Sequence, residues 1–261
     1  TTNPTCNGSC NGTAQVTASG GTGSYSFLWS SGQTTAGINN LCVANYTITV
    51  TDGNGCTAAT SLNITQPLPL TVTLSKTDAA CAGLCNGTAS VASAGGTSPY
   101  AYSWSSGGQT NALATGLCAG THFITVTDTK GCLNISSVTI SEPTQLTVTV
   151  TSQQNVNCNG VCNGFIQVTV SQGSTPYSYL WSNGQVNPIA TGLCAGTFTV
   201  TVTDNNGCTQ TTNTTITQPA ALILTISKSD VNCFGNSTGQ ANAGVTGGST
   251  PYSYQWNDPV L

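Results

Sequence analysis

The sequence predicts an all-β protein built as a tandem array of small antiparallel β-sandwiches, each about 76 residues long and each stapled by disulfides. Three observations carry that expectation. The chain repeats itself at a fixed interval, its apolar residues alternate with Thr, Ser or Asn, and its 13 cysteines fall at recurring positions among 261 residues of which only 4% are charged.

The repeat is read from residues that recur in step. Trp29, Trp104, Trp181 and Trp256 are spaced by 75, 77 and 75 residues, and Asp52, Asp128 and Asp204 by 76 and 76. The closing phrases Ile64-Thr-Gln-Pro67, Ile140-Ser-Glu-Pro143 and Ile216-Thr-Gln-Pro219 keep the same interval. Cutting after each closing Pro gives 1–67, 68–143, 144–219 and 220–261, and only the middle two are whole. The first lacks the segment matching Leu70–Leu74, and the last stops just after its Trp. The expectation is therefore a window on a longer array, with its terminal repeats completed by further sequence or by strands of a neighbouring chain, because a sandwich without its facing layer would leave Tyr252, Tyr254 and Trp256 bare.

Within a repeat the apolar residues have the period of strands with one buried face. In the second repeat Leu70, Val72 and Leu74 come first. Ala89 and Val91 follow, then Tyr100, Tyr102 and Trp104, then Ile124 and Val126, and finally Val138 and Ile140. Gly-rich and Asn-Gly punctuation separates these runs, and helical spacing is nowhere sustained, so each repeat reads as an immunoglobulin-like sandwich of six or seven strands. The Trp strand is expected to be a central one, with Trp29, Trp104, Trp181 and Trp256 in the core and the short Ala89 and Val91 leaving room opposite.

Composition excludes several functions. A typical soluble domain carries about 25% charged residues; here there are three basic side chains and a net charge of -4, so no cationic surface exists for nucleic acid or anionic membranes. The longest apolar run, Ala220 to Ile226, is strand-sized and far short of the ~20 residues of a membrane span. Regularly spaced cysteines read as a disulfide framework in an oxidising compartment, which places the chain outside the cell or on its surface.

The ordered motifs Cys-x-Gly, Gly-Gly-Thr-x-Pro-Tyr-x-Tyr-x-Trp-Ser-x-Gly, Gly-Leu-x-Ala-Gly-Thr, Val-Thr-Asp-x-x-Gly-Cys and Ile-Thr-Gln-Pro resemble the SprB-type repeat of cell-surface adhesins of gliding Bacteroidota. The resemblance covers nearly the whole chain. It implies an extracellular, non-catalytic filament or adhesin stalk, exported by the type IX route. The family usually has Leu-Pro-Ala-Gly where this chain has Leu41-Cys42-Val43-Ala44, Leu117-Cys118-Ala119-Gly120 and Leu193-Cys194-Ala195-Gly196, so one cysteine per repeat is an addition.

Each of the first three repeats has four cysteines: Cys6, Cys10, Cys42 and Cys56; Cys81, Cys85, Cys118 and Cys132; Cys158, Cys162, Cys194 and Cys208. The fourth keeps Cys233 but has Ser237 where the second would stand. With the first and Gly-Cys cysteines usual in the resembling family and the other two additions, the simplest pairing is first with fourth and second with third. That gives Cys6–Cys56, Cys10–Cys42, Cys81–Cys132, Cys85–Cys118, Cys158–Cys208 and Cys162–Cys194. Geometry favours the second-to-third bridge, whose partners precede strands at one end of the sandwich. A first-to-fourth bridge would span opposite ends, beyond the ~7 Å that a disulfide allows between Cα atoms. A staple between successive repeats, such as Cys81–Cys208, is therefore a live alternative to pairing within the repeat; a zinc site is the remaining reading, for which a Cys-x3-Cys pair lacks second-half partners at metal-ligand spacing.

Other candidates have bland readings. Tyr100, Tyr102 and Trp104, repeated as Tyr177, Tyr179 and Trp181, could stack on sugars, but their period-2 spacing places all three rings on one face, which is expected to be core. His122 aligns with Tyr46 and Phe198 and reads as an aromatic filler. Asp52, Asp128 and Asp204 could offer oxygens to calcium; one carboxylate per turn is too little for that cation, and a self-capped hairpin turn is expected. Eight Asn-x-Ser/Thr sequons, at Asn7, Asn11, Asn45, Asn63, Asn86, Asn134, Asn213 and Asn236, matter only where that glycosylation pathway operates. No catalytic constellation, cofactor motif or metal site is expected. The expected partners are further copies of the repeat in cis, with like chains in a fibre or surface glycans as alternatives.

Overall fold

Alternation of apolar side chains with Thr and Ser leaves one face of each segment to be buried and the other to be wetted, and the chain resolves into strands joined by Gly-rich turns. The structure, a computed structural model, describes residues 1–257. It comprises two compact units, Thr1–Ala79 with Gly83–Glu142, and Ala80–Ala82 with Pro143 onward. Residues 258–261, the end of the expected fourth repeat, lie outside the described residues.

The first unit opens with β1 (Gly12–Gln15), β2 (Ser26–Trp29), β3 (Gly37–Leu41), β4 (Ala44–Thr51) and β5 (Thr57–Ile64). They form sheets of order β1-β3 and β2-β4-β5. It continues with β6 (Thr71–Thr77), β7 (Gly87–Ala94), β8 (Tyr100–Trp104), β9 (Leu113–Leu117), β10 (Gly120–Asp128) and β11 (Leu133–Ile140), in sheets of order β6-β7-β9 and β11-β10-β8. All neighbours are antiparallel. With β6, β7 and β9 as strands A, B and E, and β8, β10 and β11 as C, F and G, this is an immunoglobulin-like sandwich without its D strand.

The second unit has the same six-stranded sandwich in β12 (Thr147–Gln154), β13 (Gly164–Ser171), β14 (Ser178–Trp181), β15 (Ile189–Leu193), β16 (Gly196–Thr203) and β17 (Thr209–Ile216). A two-stranded sheet follows, β18 (Ile223–Ser229) with β19 (Gln240–Thr246).

Each sandwich closes on its own core. In the second repeat Ala89 and Val91 on β7, with Ala114 and Leu117 on β9, meet Trp104, Ile124, Val126 and Ile140 of the opposite sheet. The short side chains of β7 do face the indole. Trp104, only 2% exposed, keeps its N–H satisfied by donating to the Asn111 carbonyl at 3.0 Å, as a buried indole requires.

Three features differ from the sequence expectation. The Trp strands β2, β8 and β14 are edge strands, because the long Thr-Val-Thr-Asp strand takes a hairpin partner on one side and the Trp strand on the other; the indole is buried by pointing across the sandwich, not by a central place in its sheet. A sixth strand, β3, β9 or β15, is present that the apolar alternation does not mark. Trp256 is 55% exposed, because only β18 and β19 of its repeat form strands among the described residues and no second sheet covers them.

Candidate functional site

The recurring chemistry of this molecule is its cysteines, and two local turns present them. One is the hairpin turn after the Thr-Val-Thr-Asp strand. Asp128 accepts the amides of Lys130 and Cys132 on Oδ1 at 2.8 Å each and that of Thr97 on Oδ2 at 2.8 Å, while Gly131 turns the chain at φ 82°, a conformation open to glycine at little cost. Asp204 makes the same bonds to Asn206, Cys208 and Ser174, and Asp52 to Asn54, Cys56 and Thr22. In Asp128 burial pushes the carboxyl pKa up, and the amides of Cys132, Thr97, Lys130 and Gly131 outweigh it and hold the group below its ordinary value. These aspartates are occupied as turn caps. Among the described residues no group of three or more His, Cys, Asp or Glu is placed to hold a metal ion.

The other turn carries the first cysteine of each repeat. In Cys6-Asn7-Gly8-Ser9 the Ser9 amide returns to the Cys6 carbonyl at 3.1 Å. The turn is fastened to the closing phrase of its own repeat: Gly8 donates to Gln66 Oε1 at 2.7 Å and Asn7 Nδ2 to the Pro67 carbonyl at 3.0 Å. Asn159 and Gly160 bind Pro219 and Gln218 in the same way, and Gly83 binds Glu142. The repeated Gln-Pro phrase is thus a latch for the cysteine turn. Its recurrence was visible in the sequence, but its partner was not.

The structure pairs these cysteines in two ways. Cys10–Cys42, Cys85–Cys118 and Cys162–Cys194 lie within single repeats. The first-with-fourth pairing within a repeat is corrected: Cys6 is bonded to Cys132 and Cys81 to Cys208, each pair with Cα atoms 5.6 Å apart. The reason is position, since the first-cysteine turn and the hairpin turn are at opposite ends of one sandwich and the turn of one repeat meets the hairpin of the next. Cys132 Sγ lies 3.4 Å from the Thr5 carbonyl oxygen, and Cys208 Sγ 3.3 Å from that of Ala80. Cys56 and Cys158, expected to be paired, are free and exposed, as is Cys233.

The remaining candidates fall into structural places. Trp29, Trp104 and Trp181 are core, and Tyr100, Tyr102, Tyr177 and Tyr179 are half-buried against the same clusters. His122 donates its Nε2–H to the Cys118 carbonyl at 2.9 Å, and its Nδ1 meets Ser106 Oγ. Tyr46 reaches the Cys42 carbonyl in the same manner at 3.2 Å, and Phe198 packs on the core.

The Cys-x-Gly turn and the strand that follows it recur four times, and the SprB repeat family model matches four times, at residues 1–34, 73–109, 147–186 and 225–261. The chain belongs to the SprB repeat family. No curated protein matches the chain. Among solved structures it is similar to the eight N-terminal immunoglobulin domains of the Down syndrome cell adhesion molecule, with TM-score 0.37 and 10% identity over 82% of this chain and 38% of that one. Sidekick-1 immunoglobulin domains 1–5 give TM-score 0.29 and 8% identity over 86% and 60% of the two chains. The amphioxus IgVJ-C2 molecule gives 0.26 and 15% over 51% and 97%. Among the described residues of these SprB repeats no helix is long and apolar enough to cross a membrane.

Proposed function

We propose that the chain is a non-catalytic structural segment of an extracellular filament or cell-surface adhesin stalk, whose task is to carry tension between whatever lies at its two ends. Membership of the SprB repeat family supports the setting. The observation that supports the task is the staggered pair of staples, Cys6–Cys132 and Cys81–Cys208.

Their consequence is topological. The shortest covalent path from Cys6 to Cys208 crosses to Cys132, runs back along the chain to Cys118, crosses to Cys85, continues to Cys81 and crosses to Cys208. That route contains about 18 residues in place of about 200, so at about 3.5 Å per residue the segment extends by only tens of ångströms even if every sandwich between them is torn open. Hydrogen bonds alone would release the whole contour. A surface of Thr, Ser and Asn with few charges suits such exposure, since it offers little Lys or Arg for proteolysis.

Single-molecule stretching from the termini tests this. The oxidised chain is expected to release no more than tens of ångströms between Cys6 and Cys208, and the reduced chain roughly tenfold more. Equal release in the two states would overturn the tension-bearing reading.

A further inference from the structure

The bridges of this chain differ in what surrounds their sulfurs. The two staples are sheltered: Cys132 is 9% exposed, and Cys6, Cys81 and Cys208 are half-buried. The Thr5 and Ala80 carbonyl oxygens stand 3.4 and 3.3 Å from the sulfurs of Cys132 and Cys208, and their partial negative charge faces any thiolate that approaches. The turns on either side are fastened as well. Asp128 and Asp204 hold the amides of Cys132 and Cys208 at 2.8 and 2.9 Å, while Gly8 and Gly83 tie the turns of Cys6 and Cys81 to Gln66 and Glu142 at 2.7 and 2.6 Å.

Cys85–Cys118 is open on both sides. Both cysteines are exposed and both stand outside the strands, Cys85 ahead of β7 and Cys118 between β9 and β10. Cys162 and Cys194 are exposed in the same way. Their places on the covalent route differ. Of the bridges within repeats, Cys85–Cys118 alone lies on the shortest path from Cys6 to Cys208, and the staples bypass Cys10–Cys42 and Cys162–Cys194.

We propose that Cys85–Cys118 is a redox-set limiter of extension, opened by a dithiol reductant while the staples hold, so that the segment stretches further under load yet stays covalently continuous. Exchange needs access to the sulfur attacked, and exposed bridges are the labile ones. The bridge closes a sequence separation of 33, so opening it lengthens the Cys6–Cys208 route from about 18 residues to about 50, at about 3.5 Å each. Opening the staples too leaves the whole contour of about 200 residues.

The chemistry balances with the dithiol as reductant. One of its thiolates attacks the sulfur of Cys85 or Cys118, forming a mixed disulfide and expelling the other cysteine as thiolate. Its second thiolate then attacks the reductant sulfur of that mixed disulfide, closing the reductant's own disulfide and expelling the remaining cysteine thiolate. The two protons of the dithiol end on Cys85 and Cys118, which have gained the two electrons the reductant lost.

This inference rests on the tension-bearing reading and adds how its reach is regulated. The test uses the full chain with its native disulfides intact, existing thiols blocked with N-ethylmaleimide, and limiting dithiothreitol. Thiols released are labelled with iodoacetamide and mapped. Cys85 and Cys118 are expected to label roughly tenfold faster than Cys6, Cys132, Cys81 and Cys208. Stretched in that state, the chain should release roughly threefold more length between Cys6 and Cys208 than the oxidised chain. Cys85→Ser with Cys118→Ser should release that length without reductant, and Cys162→Ser with Cys194→Ser should leave the oxidised length unchanged. Staples that label as fast as Cys85 and Cys118, or a partly reduced chain that releases only the oxidised length, would overturn the limiter. Full reduction separates the two claims, since equal release by oxidised and fully reduced chains sinks the tension-bearing reading itself, whereas unequal release without the intermediate step sinks the limiter alone.

Discussion

The third repeat and the start of the fourth are written in nearly the same residues and have opposite fates. Leu146 and Val148 open one and are buried; Leu222 and Leu224 open the other and are 62% and 59% exposed. Val156 is 3% exposed and its counterpart Val231 51%; Trp181 is 2% exposed and Trp256 55%. Both regions have the opening pair of antiparallel strands, β12 with β13 and β18 with β19. The difference is the sheet β14-β16-β17, which brings Val200, Val202 and Ile216 over the third repeat and has no counterpart over the fourth among the described residues. An alternating pattern therefore specifies which face can be buried. Only the facing sheet buries it.

The largest expected effect tests that statement at the indole. Trp181→Ala should destabilise the third repeat by about 3–5 kcal/mol, the cost of truncating a large buried aromatic. Trp256→Ala should change stability by no more than about 0.5 kcal/mol, as an exposed substitution does. Hydrogen exchange resolved by repeat checks both, and a large effect at Trp256 would mean that its face is covered in solution.

Next in size is the disulfide that the fourth repeat lacks. Replacing Cys162 and Cys194 together by Ala should lower the stability of the third repeat by about 2–4 kcal/mol, the usual range for losing a native bridge, without releasing a new thiol. Replacing either alone should release one, found at its partner by thiol labelling. Ser237 stands at the matching place in the fourth repeat, and Ser237→Ala should leave stability and thiol count unchanged.

What the sequence made legible follows from which interactions are local. The β-period, the repeat and the buried Trp of each whole sandwich are carried by neighbours in sequence, and they were readable. The strands β9 and β15 were not, because a bulge interrupts their pairing beside Gly87 and Gly164. Their buried residues, Ala114 and Leu117 or Ala190 and Leu193, fall three apart and break the alternation that marks a strand. The sequence leaves the pairing of the first cysteines open for a similar reason. Counting allows both schemes, and only the separation of the two turns at opposite ends of a sandwich decides between them. The edge position of the Trp strand is likewise a property of sheet order, to which the strand's own residues are blind.

A smaller expected effect lies at the glycine where the second strand of each pair begins, Gly164 at the first residue of β13 and Gly239 just before β19. A Cβ at Gly164 would meet the Gln154 carbonyl, the Leu193 carbonyl and Ile216 Cγ2, all at 3.0 Å, while at Gly239 it would meet Val231 Cγ1 at 3.3 Å and otherwise lie farther from its neighbours. Two of the three atoms around Gly164 are backbone and cannot step aside. Gly164→Ala should therefore cost about 1–3 kcal/mol, as overpacking does, and Gly239→Ala no more than about 0.5 kcal/mol. Urea unfolding of the two variants checks the difference, and equal costs would show that the Gln154 and Leu193 carbonyls and Ile216 are not what crowds Gly164.

The mildest handle is pH, and it acts on the third repeat alone of the two. Asp204 is held below its ordinary value by the Ser174 amide foremost, against the opposing pull of burial, and then by the amides of Cys208, Asn206 and Gly207. In the unfolded chain the same carboxyl titrates near its free value of about 3.9. As pH falls, the unfolded state takes up its proton first, so the stabilisation is complete above that value and is lost as pH passes down through the lower folded one. No carboxylate of the fourth repeat caps a turn in this way among the described residues. Hydrogen exchange in β16 and β17 should accordingly quicken as pH drops below about 4, after correction for the intrinsic rate, while that in β18 and β19 follows the intrinsic rate alone. In Asp204→Asn the acid-dependent part should vanish from β16 and β17. If it persists there, the Asp204 turn is not what couples the third repeat to pH.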